Sequence, residues 1–138
     1  MMNRLNLWTP PSGSDITVLP TGRWWDAVRA SAAVGEHALR LLGPESGAVI
    51  QDRHGPLYWL VRTGTADRWD VRQVRVLGTA SGVASYLGVP PAHRTTRPGT
   101  HWRIPIGPDR YLTDAALLRG ALMLAAGADC GQDEGARP

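Results

Sequence analysis

Residues 47–62, "GAVIQDRHGPLYWLVR", constrain the fold more than any other stretch of the chain. Two runs rich in strand formers, "AVIQ" and "LYWLV", flank Arg53-His54-Gly55-Pro56, a cluster of turn residues, so the segment reads as a β-hairpin. A hairpin commits its strands to antiparallel pairing, because parallel neighbours need a long crossover. Short strand-like runs recur along the rest of the chain: "ITVL" (16–19), "WWDAVRA" (24–30), "VRQVRVLG" (71–78), "GVASYLGVP" (82–90) and "THWRIPI" (100–106).

Two segments have helical spacing instead. In "SAAVGEHALRLLG" (31–43), Val34, Ala38, Leu41 and Leu42 share a face, Ser31 stands at the N-cap and Gly43-Pro44 stops the helix. Gly35 inside it costs about 1 kcal/mol against alanine, which packing must offset. In "LTDAALLRGALMLAAG" (112–127), Thr113 is the expected cap, Asp114 lies in the first turn and Gly127 is the expected end. Apolar residues run almost all round this second helix, which implies burial on most sides. Strands joined mainly by turns, with one early and one late helix, define an α+β fold: a largely antiparallel sheet backed by two helices.

At 138 residues the chain has room for one cored domain, expected over 16–128. Residues 1–15, with Pro10-Pro11, read as an arm that Trp8 anchors, and 129–138 as a disordered tail. The apolar runs are too short to span a bilayer, residues 1–20 lack a signal-peptide pattern, and Cys130 is the single cysteine. A cytoplasmic location without a membrane is the expectation.

All fifteen basic residues are arginine and phenylalanine is absent, the pattern of a GC-rich genome. Net charge is +3, and because 129–138 hold three acids against one arginine, residues 1–128 carry +5. That suits an anionic partner without requiring one. The familiar phosphate-binding, dinucleotide, zinc-protease and nucleophile-elbow motifs are absent. His37, His54, His93 and His101 lack metal-ligand spacing, so neither metal nor cofactor is expected.

The loop "PPAHRTTRPGTHWR" (90–103) is the richest in ligand chemistry. Arg94, Arg97 and Arg103 can fork onto phosphate, His93 can approach it, and the Trp102 indole can stack a base. The plain alternative is a solvated connection. Trp24 and Trp25 cannot both point inward on one strand, so one of them, with Arg23 and the basic residue Arg75, is a candidate partner surface.

Taken together, "TVLPTGRWWDAV", "GAVIQDRHGPLYWLV", "VRVLG" and "GVPPAHRTTRPGTHWRIP" resemble the order of segments in the N-terminal domain of bifunctional DNA primase/polymerase proteins of the archaeo-eukaryotic primase type, in its shortened actinobacterial form. The resemblance implies that Asp26 takes the place of the first carboxylate of a D-x-D pair and Val28 that of the second. A later acidic place falls in "VRVLG", where Arg75 stands, and Pro90-Pro91-Ala92-His93 resembles a "PPS-x-H" stretch with its serine replaced. Two-metal phosphoryl transfer needs several oxygen ligands. One carboxylate beside a valine does not supply them, so Asp26 is a weak metal candidate, expected to cap a turn or pair with Arg23 or Arg29. Three readings follow: an inactive primase/polymerase-like domain serving as a regulatory, protein-binding module, with a homodimer as one form; a binder of single-stranded nucleic acid or nucleotides through 93–103; or a residual metal-dependent nucleotidyl transferase.

Overall fold

A computed structural model describes residues 8–80 and 82–135, with side chains through 128. Among the described residues seven strands form, β1 (Thr17–Pro20), β2 (Asp26–Ala30), β3 (Val49–Gln51), β4 (Leu57–Val61), β5 (Val74–Leu77), β6 (Tyr86–Val89) and β7 (His101–Ile104), together with helices α1 (Ala32–Leu42) and α2 (Ala115–Gly135). The fold is α+β, and every strand pair is antiparallel. Five strands form one sheet in the order β5-β2-β4-β3-β7, while β1 and β6 pair as a separate ribbon.

The hairpin is β3–β4, with Val49 opposite Trp59 and Gln51 opposite Leu57. Its turn is closed by Asp52, whose N–H donates to the Pro56 carbonyl at 2.9 Å while its Oδ2 accepts the His54 N–H at 2.9 Å. Such a side-chain bond two residues on is the reason aspartate favours turns.

The sheet is buried on both faces, because β2 and β4 are apolar at both parities. Val28, Ala30, Trp59 and Val61 join Val34 and Ala38 of α1 and Leu118, Leu122 and Ala125 of α2 in one core. Ala27 and Leu60 face the other way, onto Trp8, Trp25, Leu87, Val89 and Trp102. The described residues therefore form three layers: two helices, the five-stranded sheet, and the ribbon with the arm from Trp8 onward. Trp8 anchors that arm as expected, with ring centroids 5.4 Å from Trp25 and 6.2 Å from Trp24.

Gly35 has a packing reason. A Cβ there would lie 3.0 Å from Leu57 Cδ1, so the glycine lets α1 approach β4 closely, and that contact offsets its poor helix propensity.

The helix ends differ from expectation. Ser31 does occupy the N-cap of α1, but its hydroxyl donates to Gln73 Oε1 at 2.9 Å and makes no capping bond. For α2 the cap is Asp114, whose Oδ2 accepts the Leu117 N–H at 3.0 Å and whose carbonyl accepts the Leu118 N–H. Thr113 is buried and accepts the Gly47 N–H instead. A hydroxyl needed by a neighbouring loop is not available to its own helix. α2 also runs past Gly127 to Gly135, and only 136–138 of the expected tail lie outside the described residues. Nor is α2 enclosed: Leu117, Met123 and Leu124 are exposed, because α2 packs one side on the sheet and α1.

Candidate ligand-binding clefts

Asp26 opens β2 and is 1% exposed. Its Oδ2 accepts the Gly64 N–H at 2.8 Å, so it ties the loop after β4 to the start of β2. Its Oδ1 is buried without a hydrogen-bond partner. Gly78 closes the slot from the far side, since a Cβ there would lie 3.0 Å from the carboxylate carbon. Burial pushes the Asp26 pKa above the usual carboxylate range, the Gly64 bond opposes that in part, and the nearby Asp67 charge adds to it. Of the two expected roles, turn cap or arginine partner, Asp26 takes the first. Arg23 lies instead over the Trp24 ring, 4.8 Å from its centroid, and Arg29 lines a cleft elsewhere. Val28 is wholly buried. Among the described residues no three His, Cys, Asp or Glu side chains gather as a metal site.

The loop 90–103 is largely committed to the fold. Trp102 is 1% exposed and donates its indole N–H to the Pro90 carbonyl at 2.9 Å, so its face is core and offers no platform for a base. Its parity on β7 turns it into the layer under the ribbon, where a chain lacking phenylalanine needs ring volume. Arg103 forms a two-pronged ion pair with Glu36 of α1, which holds the Glu36 carboxyl below its ordinary range. Arg94 donates to the Ser14 carbonyl at 2.6 Å and fastens the arm. His93 and Arg97 remain exposed. The proposed partner residues divide in the same way: Trp25 is fully buried, whereas Trp24 is half-buried and Arg23 and Arg75 are exposed.

What the fold assembles is different from the linear loop. One open cleft of about 370 Å³ lies between the β3–β4 turn and residues 97–101, lined by Arg53, His54, Arg97 and His101 among others. A second, of about 460 Å³, lies between that turn and the ends of β2 and β5, where Arg29, Arg75, Ser31 and Gln73 meet. His54 borders both. Arg97 and Arg75 were legible as candidates, while Arg29, Arg53 and His54 as ligand-facing groups were not. The one available signal was parity: in "DAVRA", Arg29 points away from the side Asp26 occupies.

A third surface is apolar. The β1–β6 ribbon buries Leu87 and Val89 inward and leaves Val18 66% and Tyr86 58% exposed on its outer face, with Ile16 and Val83 also exposed nearby in the chain. Comparison with protein families, with curated proteins and with solved structures returns no match for this chain.

Proposed function

We propose that the chain is a catalytically inactive domain of the primase/polymerase type that works in the cytoplasm as a protein-binding, regulatory module. The observation that carries this reading is the state of Asp26. The single carboxylate at the place of the family's acidic pair is buried, bonded to the Gly64 N–H and walled by Gly78, while its neighbour at the second place is the buried Val28. A cation there would meet one buried carboxylate with Asp67 as the nearby acid, short of the several oxygen ligands that phosphoryl-transfer metals need, and among the described residues no third His, Cys, Asp or Glu joins them.

The ribbon supplies the binding surface. A two-stranded sheet keeps an unpaired edge on each strand, and here the outer face carries Val18 and Tyr86. An extended apolar segment can join such an edge as a third strand, with main-chain bonds giving affinity and side chains giving selectivity. A second copy of the chain offers the same edge and makes a twofold dimer.

Two measurements test the reading. In a manganese-dependent primer-extension assay, wild type and Asp26→Asn are expected to give the same background signal, and extension that disappears in the variant overturns it. By light scattering, wild type is expected as a dimer or partner complex that Val18→Asp disperses. An exposed position changes stability by no more than about 0.5 kcal/mol, so the variant stays folded. A wild-type monomer indifferent to Val18→Asp would remove the proposed surface.

A further inference from the structure

We propose that the two arginine-lined clefts either side of the β3–β4 turn bind the phosphate backbone of a single-stranded nucleic acid, with Arg29 and Arg75 as the central contact. In the sheet register Arg29 lies directly opposite Arg75 on the neighbouring strand. Like charges in that position repel and destabilise the pair of strands. No acid lines the cleft that they share, and among the described residues the single ion pair is the one between Arg103 and Glu36. The register thus sets two arginines at facing positions on one side of the sheet and in one cleft, with no acid lining it among the described residues, an arrangement that suits a bound anion.

The surroundings are polar. Ser31 and Gln73, already bonded to each other, line the same cleft, and His54 closes it. Ala32, the first residue of α1, also lines it, and that helix has neither an acid in its first turn nor a side-chain cap. Its amide dipoles add to the positive field that the arginines already set up.

The second cleft decides what kind of anion fits. Arg53 and Arg97, both exposed, line it on the other side of His54, together with Asp52, whose Oδ2 accepts the His54 N–H. Arginine pairs on both flanks of one turn match a chain of phosphates better than a single phosphate. Neither cleft is an enclosed, ring-lined chamber of the sort that holds a small ligand. Contacts of this type position a backbone and do not read bases. A flexible strand can bend over the turn, whereas duplex DNA is stiff over about 150 base pairs. The site lies on the opposite parity of β2 from Asp26, so it stands or falls separately from the inactivity of the domain and from the ribbon.

The test is fluorescence anisotropy with a labelled twelve-nucleotide oligothymidine at low salt, on the full chain. Four phosphate contacts at about −0.7 each give a log–log salt slope near −2.8, so affinity is expected to drop about fifty-fold between 50 and 200 mM salt. Arg29→Gln with Arg75→Gln is expected to reduce that slope by about 1.4, and the exposed Arg75→Gln alone by about 0.7. Arg119→Gln, on α2 and away from both clefts, is expected to leave binding unchanged. The proposal is overturned if wild type does not bind at 50 mM salt. It is equally overturned if Arg119→Gln weakens binding as much as Arg75→Gln does, which marks a diffuse basic surface. Thymidine triphosphate binding as tightly as the oligonucleotide, or a duplex binding more tightly, also overturns it.

Discussion

At the scale of single residues, Asp26 and Glu36 show how surroundings set the sign of a charge's contribution. Both are carboxylates near the sheet, yet burial raises the pKa of Asp26 and Arg103 lowers that of Glu36. A raised folded-state pKa means that the Asp26 contribution is fully present below its unfolded value, about 3.9, and is lost as pH rises through the folded value. Asp26→Asn keeps an acceptor for the Gly64 N–H and has no charge to bury. In urea titrations, the stability of wild type relative to this variant is therefore expected to fall as pH rises from about 4. A difference flat in pH would contradict the burial of the Asp26 carboxylate. Glu36 works in the opposite direction, since its contribution is present above its unfolded pKa and is lost as pH falls through the lowered one. The pair is about one-third exposed, so its coupling with Arg103 should not exceed about 1 kcal/mol in a double-mutant cycle.

At the scale of elements, the helix starts show a local rule overridden by a distant need. Thr113 and Asp114 are both acceptable caps, and sequence preference alone does not choose between them. Gly47 chooses: its N–H takes the Thr113 hydroxyl at 2.9 Å, and a Cβ at Gly47 would lie 2.5 Å from the Tyr111 carbonyl, so the two segments touch backbone to backbone. Asp114→Ala is expected to cost about 1 kcal/mol by loss of the α2 cap. Thr113→Val should cost about 1–3 kcal/mol because it orphans a buried N–H in another segment. Chemical denaturation of the two variants checks the order. A larger loss for Asp114→Ala would mean that the Gly47–Thr113 bond is the weaker of the two and does not decide where the helix is capped. The hairpin is nearer the reverse case: Asp52, Gly55 and Pro56 set the turn locally, and one distant bond, from the Arg53 N–H to the Thr100 hydroxyl at 3.2 Å, adds to it.

At the scale of the whole molecule, the arm and ribbon act as a third layer that closes the second face of the sheet. Trp8 stacks on Tyr111 at 6.4 Å, meets Trp25 edge-on and lies tilted against Trp24, so one residue ties the arm to two distant segments. Trp8→Ala is expected to cost about 3 kcal/mol or more, as large-to-small changes at well-packed aromatic sites do. Its thermal midpoint and tryptophan fluorescence report the loss, and an unchanged midpoint would mean that the arm is not part of the core.

The sequence by itself determined the kinds of element, the hairpin and the α+β class, because periodicity and turn chemistry act over a few neighbouring residues. The same alternation placed Arg29 and Asp26 on opposite faces. Only the tertiary structure decided which strands became neighbours, and therefore that Arg29 meets Arg75, that Trp102 turns inward, and that Arg103 is claimed by Glu36. Those outcomes depend on register and on close packing between segments far apart in the chain, and no local pattern encodes which partner a side chain will find.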